Sequence, residues 1–499
     1  MNVPTDTQAR APFPSAQGTL EWRPPWGRVE LRPTRDIAIV AVLFGVVVDA
    51  AIRAGTTSVA GALAFAVAAA ALLSSGRVVR TEARVLVAMA PVFGAFLALR
   101  TSPWLTSFDF MAASALLVTG ATFARRESIF DLPLARLFTH GLAVVGHSVL
   151  GAAFLRPLIR PRPGRARVWP SVARGVLLGA PIVALLWALL VHADAVFASF
   201  FHVDADLGQG IPHVMFVVFG AWSLLGVLRL ASVEAPRDLD LPRARLGATE
   251  ATVIASAVLA LFALFAMAQV IAGVGGADHV LRTEGLTYAD YARSGFFQLL
   301  WAAGLTVAGL LGLRALTRES DPAAGGRITM LSLAIVALTA VIVGVAIHRM
   351  TLYENAYGLT MLRLYVVVFA VWLGLALVLV TALLLGAGRD RSWFGGVASM
   401  SLLGVLLSLN LVNPEAVVAR HNLTRPADAT PVDESYLADL SDDAVPTIVH
   451  LLPALDASTR ARVAAAVGCT DDSSHRGWAA ANLAISQANA ARAALCTGG

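Results

Sequence analysis

Residues 361–385 read MLRLYVVVFAVWLGLALVLVTALLL, and Arg363 carries the only charged side chain in this run. At about 1.5 Å per residue, a helix of this length exceeds the ~30 Å thickness of the hydrocarbon layer of a membrane. Similar apolar runs recur along the chain, whose 499 residues are 57% hydrophobic and only 14% charged. Because an average soluble protein is about 25% charged, the composition excludes a soluble globular protein and predicts a membrane protein with many spans.

Eleven candidate spans are found when the chain is scanned with a window of membrane length. They are residues 37–52, 57–75, 84–99, 106–124, 174–191, 211–228, 249–271, 294–313, 328–347, 361–385 and 395–412. A chain in lipid must satisfy its backbone hydrogen bonds internally, so we expect each span to be a helix. The predicted fold class is therefore all-α integral membrane, a polytopic bundle of about 11 transmembrane helices over residues 37–412.

The chain contains no Lys, and its 38 Arg are distributed unevenly between the two sides of the predicted bundle. With eleven spans and a cytoplasmic N-terminus, 26 of the 38 lie in inner segments and only six in outer connections. The positive-inside rule then predicts a bacterial cytoplasmic membrane protein with an extracytoplasmic C-terminus. This distribution also accounts for the pI near 9.7. It argues against nucleic acid as a partner, which requires a basic face with stacking aromatic residues.

One interfacial helix is predicted between the fourth and fifth spans, at residues 131–155. At 100° per residue Arg136, His140 and His147 share one face, so we interpret the segment as an amphipathic helix. A twelfth span is the alternative. Two His residues can bind a metal or sense pH, but the polar stripe of an interfacial helix explains them equally well. Residues 1–36, rich in Arg and Pro, are predicted to be a cytoplasmic tail near the anionic membrane surface.

Residues 413–499 have the composition of a soluble segment, with ten acidic residues against six Arg. They are predicted to form a small extracytoplasmic helical domain in which Ser441 and Ser458 cap helices. A module of this size often needs a covalent link. Cys469 and Cys496 are predicted to supply one as a disulfide outside the cytoplasm, and two buried free thiols are the alternative.

The sequence has no phosphate-binding loop, zincin helix, nucleophile elbow or paired Cys ligands. No catalytic residue, metal site or cofactor is therefore predicted. Among the few polar residues inside the spans, Asp49 and Asp109 lie near span ends, where solvated or capping roles are usual. Gln269 and Asn410 are interpreted as hydrogen-bonding partners between helices. No chain of buried carboxylates resembles a proton relay, which disfavours a proton-coupled transporter.

Tyr, acidic residues and Arg occur together at helical spacing in residues 286–297 and 352–365, at the outer ends of spans. An Arg at a span entrance needs a counter-charge or a phosphate, because leaving it unpaired at low dielectric is costly. We therefore predict a polar pocket or a lipid-headgroup site on the outer face; an ordinary aromatic belt is the alternative. The predicted ligand-binding residues are Tyr288, Asp290, Tyr291, Arg293, Tyr353, Glu354, Tyr357 and Arg363.

Four stretches of the chain also resemble a known family. They are residues 288–297 (YADYARSGFF), 352–360 (LYENAYGLT) with Arg363 and Tyr365, 413–422 (NPEAVVARHN) and 436–446 (YLADLSDDAVP). In these stretches the chain resembles the bacterial membrane family known as domain of unknown function 4173, which is related to the domain of unknown function 4153 group. The resemblance implies a multi-span inner-membrane protein with a C-terminal extramembranous part. It implies no activity, ligand or catalytic residue.

Three functional hypotheses follow. The first is a non-enzymatic membrane protein whose outer pocket binds an envelope lipid or a small solute, in transport or envelope signalling. The second is a membrane enzyme that modifies a lipid-linked envelope precursor, with Asp194, Asp290 or Glu354 as base or metal ligand. The third is a scaffold that tethers a partner through residues 413–499. We favour the first, with membrane lipids as expected partners and no protein partner identified.

Overall fold

The computed structural model describes residues 34–125, 144–155, 207–233, 246–274, 296–317, 322–386, 393–425, 432–468 and 477–497, together with six isolated helical positions between residues 175 and 190. Within these ranges the regular secondary structure is helical, apart from one isolated bridge between Leu246 and Thr317. The predicted all-α membrane fold is confirmed for this part of the chain.

The α-helices of the described ranges are numbered α1–α15 in chain order. They are α1 Arg35–Ala54, α2 Val59–Ser74, α3 Thr81–Leu99, α4 Pro103–Thr122, α5 Leu207–Leu230, α6 Ala248–Val274, α7 Phe296–Leu316, α8 Pro322–Tyr357, α9 Met361–Leu384, α10 Trp393–Val412, α11 Pro414–Leu423, α12 Glu434–Ala438, α13 Val445–Leu451, α14 Ala457–Val467 and α15 Leu483–Thr497. Nine helices in these ranges, α1 and α3–α10, are long and apolar enough to cross a membrane, and α2 is a shorter apolar helix. These ten correspond to ten of the predicted spans. The remaining span, residues 174–191, lies almost entirely outside the described residues.

Helices α1–α5 pack around one apolar cluster rich in Ala, Leu and Phe. Lipid is as apolar as these side chains, so helices in a membrane associate largely through close van der Waals packing. Glycine permits that approach where α1 crosses α5, because a Cβ at Gly45 would overlap the backbone carbonyl of Val217. Further along the two helices, Asp49 lies beside His213, so α1 and α5 run antiparallel.

Helices α6–α9 form a second apolar cluster, and α10 joins the two. On one side, Leu403, Leu406 and Leu407 of α10 pack against the first cluster. On the other, Ser401 of α10 accepts a hydrogen bond of 3.1 Å from the indole of Trp372 in α9. We call the junction of α4, α9 and α10 the seam.

At one end of the bundle, several helix connections meet the residues that follow α10. Asn482 donates hydrogen bonds to the carbonyls of Thr57 and Arg100. The side-chain amide of Asn422 forms hydrogen bonds with both the N–H and the carbonyl of Leu359. The α1–α2, α3–α4 and α8–α9 connections therefore lie at the same end, which we call the C-terminal face.

The opposite end of the bundle carries several Arg residues. The backbone N–H of Val79 donates to the carbonyl of Ala124 at 2.8 Å, and the Arg77 guanidinium donates to the hydroxyl of Ser232. The α2–α3 connection and the C-terminal ends of α4 and α5 therefore meet at this end, which we call the arginine face. The ends of α1–α4 alternate between the two faces, as consecutive crossings require.

Residues 144–155 pack against the arginine-face half of α5. The indole of Trp222 donates to the carbonyl of Ser148 at 3.0 Å, and Arg229 Nε donates to His147 Nδ1 at 3.2 Å. His147 is 1% exposed, so it is a buried hydrogen-bonding partner and not part of an exposed polar stripe. Residues 126–143, with Arg136 and His140, lie outside the described residues, and the predicted amphipathic helix stays a prediction.

Helices α11–α15, which follow the last span, surround a small apolar cluster of their own that includes Leu437, Ile448 and Val463. A further cluster joins Val418 of α11 to Met361, the first residue of α9. These helices, which we call the C-terminal segment, are thus packed against the C-terminal face as well as against one another.

The two predicted helix caps in the C-terminal segment are wrong. Helix α13 begins without a side-chain cap, and the Ser441 hydroxyl donates to Glu415 instead. Helix α14 is capped by Asp456, whose Oδ1 accepts hydrogen bonds from the backbone N–H and the hydroxyl of Ser458. At α14 a carboxylate, a stronger acceptor than a hydroxyl, takes the cap position. The Ser441 hydroxyl accepts from the backbone N–H of Asp443, before α13 begins.

Two further predictions fall outside the described part of the chain. The Arg- and Pro-rich tail lies there up to residue 33. Cys469 and the side chain of Cys496 lie there as well. The cytoplasmic tail and the disulfide between Cys469 and Cys496 therefore remain predictions.

Candidate functional site

Four of the eight predicted ligand-binding residues are described, and the structure brings them together at the C-terminal face. The ring centroids of Tyr353 and Tyr357 lie 4.9 Å apart. The guanidinium carbon of Arg363 lies 4.2 Å from the ring centroid of Tyr353, a cation–π contact. We call Tyr353, Glu354, Tyr357 and Arg363 the tyrosine–arginine cluster. The other four predicted residues, Tyr288, Asp290, Tyr291 and Arg293, lie outside the described residues.

The tyrosine–arginine cluster forms because residues 358–360 join α8 to α9 in a tight turn. Gly358 has a φ of 82°, in the left-handed region that favours glycine. Thr360 then caps α9, because its hydroxyl accepts a hydrogen bond from the backbone N–H of Arg363. The Arg363 side chain reaches back and donates to the carbonyl of Gly358, which holds it beside the last turn of α8.

One member of the cluster has an unused hydrogen-bond acceptor, and another is exposed. Glu354 Oε1 is buried without a hydrogen bond in this part of the structure, although the charge of Arg363 acts on the carboxylate. Tyr357 is 51% exposed, so solvent and lipid reach the cluster. A buried acceptor without a donor costs free energy, so the cluster favours a ligand that brings a hydrogen-bond donor or a group for Arg363.

The depth of the cluster fits a lipid headgroup. The apolar part of α8 ends at Asn355 and α9 begins at Met361, so the cluster lies at the adjoining ends of two helices that are long and apolar enough to cross a membrane. Headgroups, Tyr and Arg meet at this level in membranes. The geometry therefore allows Arg363 to bind a phosphate or carboxylate, and Glu354 to bind a hydroxyl or amine.

The C-terminal segment clamps the α8–α9 turn from outside. The Asn422 amide donates to the carbonyl of Leu359 at 2.8 Å and accepts from its N–H at 2.9 Å. The Tyr436 hydroxyl accepts a 2.7 Å hydrogen bond from the backbone N–H of Met361, and burial raises the pKa of this hydroxyl. Arg425 donates to the carbonyl of Asn355 at 2.6 Å. The position of the cluster therefore depends on residues about 60 to 75 positions later in the chain.

A second polar site lies at the seam, directly under the C-terminal segment, and the sequence analysis did not predict it. Its centre is Asp443, which accepts hydrogen bonds from the backbone N–H groups of Thr101 and Ser102 at 2.7 and 2.8 Å. Arg100 lies 3.4 Å from the same carboxylate. We call this site the seam cluster; its members are Arg100, Ser102, Asp109, Tyr365, Asn410, Glu415 and Asp443.

Glu415 is the carboxylate of the seam cluster that lies just beyond α10. Its Oε2 accepts hydrogen bonds from the N–H and the hydroxyl of Ser441, at 2.7 and 2.6 Å. Burial raises the pKa of the Glu415 carboxyl, and the charge of Asp443 adds to that rise, whereas the Ser441 hydrogen bonds oppose it. The seam cluster thus holds carboxylates close together in a poorly solvated place.

The interpretation of Asp49 and Asp109 as solvated span-end residues is wrong. Asp49 is 5% exposed and is held by Arg53 at 2.8 Å and His213 at 3.0 Å. Asp109 is fully buried, and its Oδ1 accepts a 2.7 Å hydrogen bond from the Asn410 amide. The expectation that Asn410 links helices is met by this bond between α10 and α4. Periodicity alone does not report which neighbouring helix covers a span-end residue.

The family described as Domain of unknown function (DUF4153) matches residues 85–451. These residues include the tyrosine–arginine cluster and every member of the seam cluster. No curated protein and no solved structure matches the chain.

Proposed function

The chain belongs to the family described as Domain of unknown function (DUF4153), and on that premise we propose that it binds an envelope lipid or a small solute at its C-terminal face. The protein is an integral membrane protein with many helices. Its role would lie in transport or envelope signalling, without enzymatic chemistry. The narrower relationship to the domain of unknown function 4173 is part of this proposal.

The observation that carries the proposal is the arrangement of Arg363 and Glu354 around Tyr353. Arg363 donates to the carbonyl of Gly358 and stacks on the Tyr353 ring, and its remaining donors have no hydrogen-bond acceptor among the described residues. Glu354 offers a buried oxygen without a donor. A zwitterionic or polyol phosphate headgroup supplies both missing partners, because it carries an anion and hydroxyl or amine donors.

We further propose that the C-terminal face is extracytoplasmic, in a bacterial cytoplasmic membrane. The support is the Arg distribution, with 26 of 38 Arg in the segments assigned to the opposite side. Alkaline phosphatase is active only outside the cytoplasm, so a fusion after Gly499 should be active and a fusion within residues 160–167 should be silent. The reverse pattern would place the tyrosine–arginine cluster in the cytoplasm and remove envelope ligands from consideration.

Binding is tested with full-length protein in phosphatidylcholine nanodiscs that contain phosphatidylglycerol, and the retained lipid is counted by native mass spectrometry. Arg363→Ala should weaken phosphatidylglycerol retention about tenfold or more, because a hydrogen bond to a charged group contributes about 1.5–3 kcal/mol. Arg420→Ala is the matched control, since Arg420 is exposed on α11 of the same face. If inorganic phosphate competes with the lipid, the recognised group is the phosphate itself. Equal retention by both variants and wild type would refute the proposed site.

A further inference from the structure

The seam cluster contains two side chains, Asp109 and Asn410, that each have one oxygen without a hydrogen bond in the described structure. Asp109 follows Ser102 by two turns of α4, about 10 Å into the span, and it is fully buried. Its Oδ1 accepts the Asn410 amide, whereas Asp109 Oδ2 and Asn410 Oδ1 are both buried without a hydrogen bond in the described structure. The two groups that carry these oxygens are joined by the 2.7 Å hydrogen bond.

The orientation of the Asn410 amide follows from its surroundings. Its Nδ2 donates to Asp109 Oδ1 at 2.7 Å and also to the carbonyl of Leu406 at 3.1 Å. Reversing the amide would place its oxygen against two other oxygens, which is unfavourable. Both unmet atoms of the pair are therefore acceptors.

Three possible donors of the seam cluster, Arg100 Nε and the hydroxyls of Ser102 and Tyr365, are also buried without a hydrogen-bond partner among the described residues, so none of them donates to the pair in this structure. What the pair lacks is a hydrogen-bond donor or a cation.

The charges around Asp109 point in the same direction. The charge of Arg100, from the α3–α4 connection, acts on Asp109 directly. Tyr365 of α9 lies near Asp109 and also near Glu415 and Asp443 of the C-terminal segment, because all three carboxylates act on its hydroxyl. Three of these groups, counting Asp109, are carboxylates that are at most 4% exposed. Arg100 is the one cation among the described members of the cluster.

Arg100 does not bond Asp109. Its guanidinium donates to the carbonyl of Asn410 and lies against Asp443. Asp443 has two backbone N–H donors, and Glu415 has two donors from Ser441. Asp109 accepts one hydrogen bond, from the neutral Asn410 amide, and the charge of Arg100 acts on it without a hydrogen bond. It therefore has the fewest hydrogen-bond donors of the three carboxylates. A buried carboxylate with so few donors is unfavourable, so a positive species is expected to neutralise it.

We propose that the Asp109–Asn410 pair is a binding site for a small cation, a proton or an alkali-metal ion such as Na⁺. In the first case the carboxylate takes up a proton on Oδ2 and becomes a neutral acid that donates a hydrogen bond. In the second, the ion is held by the oxygens of the pair. The site is separate from the tyrosine–arginine cluster, and its existence does not depend on lipid or solute binding there.

The proton is detected by infrared spectroscopy of the full-length protein in vesicles. If a proton occupies the site, wild type should show the carbonyl band of a protonated aspartic acid at neutral pH, and the band should shift when aspartate is labelled with ¹³C. The label excludes Glu415 as the source. Raising the pH should remove the band as Asp109 loses its proton.

The alkali-metal ion is detected by thermal unfolding of the purified protein. If Na⁺ occupies the site, wild type should melt a few degrees higher in sodium chloride than in N-methylglucamine chloride at equal ionic strength, because binding to the folded state alone stabilises it. Asp109→Asn keeps the shape of the side chain and should abolish whichever signal wild type shows. Glu250→Gln is the control, because Glu250 is an exposed carboxylate that bonds the backbone N–H of Gly247.

The proposal is overturned if wild type shows neither the labelled band nor the sodium-specific shift. An ionised Asp109 hydrated by a buried water would give this result. It is overturned equally if Asp109→Asn retains the wild-type signal. Should Asp109→Asn fail to fold, the ¹³C-labelled wild type and the ion comparison still decide between the outcomes.

Discussion

The tyrosine–arginine cluster and the seam cluster lie on the same face of the molecule but are built in different ways. The first takes its four described members from residues 353–363, the ends of two consecutive helices. The second joins residues from the α3–α4 connection, α4, α9, α10 and the C-terminal segment. Tyr357 of the first is 51% exposed, whereas the second is closed over by the C-terminal segment. The difference predicts that the seam cluster contributes more to the stability of the fold than the tyrosine–arginine cluster does.

Removing the central carboxylate of the seam should have the largest effect. Asp443→Ala leaves the N–H groups of Thr101 and Ser102 without their acceptor and Arg100 without its counter-charge. We expect a loss of about 3–5 kcal/mol in the free energy of unfolding, measured by denaturant unfolding in detergent. Asp439→Ala, at an exposed position, should change it by less than about 0.5 kcal/mol. Equal losses in both variants would contradict a structural role for the seam cluster.

Replacing Asn482 should have the second largest effect, because this side chain joins the C-terminal segment to the helix connections of the bundle. Its amide donates to the carbonyls of Thr57, Leu97 and Arg100, and its Oδ1 accepts from the N–H of Ala484. Asn482→Ala should cost about 2 kcal/mol, from the lost helix cap and the lost hydrogen bonds.

The control for Asn482 is Gln487→Ala, at an exposed position on α15, which should be nearly neutral in the same unfolding measurement. Limited proteolysis gives a second readout. Asn482→Ala should make the C-terminal segment easier to cleave, and protection equal to wild type would show that the three carbonyl contacts do not hold it.

The buried carboxylate of Glu415 should make the stability of the protein depend on pH. We expect this effect to be smaller than the losses caused by Asp443→Ala and Asn482→Ala. A carboxyl with a raised folded-state pKa binds its proton more tightly in the folded state than in the unfolded state. The contribution of Glu415 to the free energy of unfolding is therefore present at low pH. It is lost as the pH rises above the ordinary pKa of a glutamate carboxyl. Glu415→Gln keeps an acceptor for Ser441 and should flatten the decline of melting temperature with rising pH.

Asp456 serves as a comparison, because the pKa of its carboxyl is lowered whereas that of Glu415 is raised. It lies in the exposed cap of α14, where hydrogen bonds from Ser458 and Thr459 lower the pKa of its carboxyl. Stability from this group is lost as the pH falls through the acid range. Asp456→Asn should therefore leave the neutral-to-alkaline slope unchanged, and a change there would mean that Glu415 is not the source of the slope.

The tyrosine–arginine cluster should contribute least to stability. Arg363→Ala removes a partly exposed cation–π contact with Tyr353 and one hydrogen bond, so we expect a loss of about 0.5–1 kcal/mol. The measurement is the same detergent unfolding, with Arg420→Ala as reference. A loss as large as that of Asp443→Ala would show that Arg363 is structural, which would remove the distinction between the two clusters.

Sequence reasoning identified the local cluster because its residues are neighbours in the chain. Tyr353 and Tyr357 are four positions apart, which places them on one helix face, and Arg363 follows a short turn. The seam cluster gave no comparable signal. Asp109 and Asn410 are separated by 301 positions, and each by itself resembles an ordinary polar residue near the end of a span. For this reason sequence reasoning did not predict that Asp109 is fully buried.

The amino-acid sequence by itself determined that this protein lies in a membrane as a helical bundle. Hydropathy is a local property, and a helix in lipid satisfies its own backbone, so neither conclusion needs a neighbour. Only the tertiary structure decided which polar residues are buried together at the seam and which loops the C-terminal segment holds. Those contacts depend on helix packing and on hydrogen bonds between distant segments, and no single stretch of the chain encodes them.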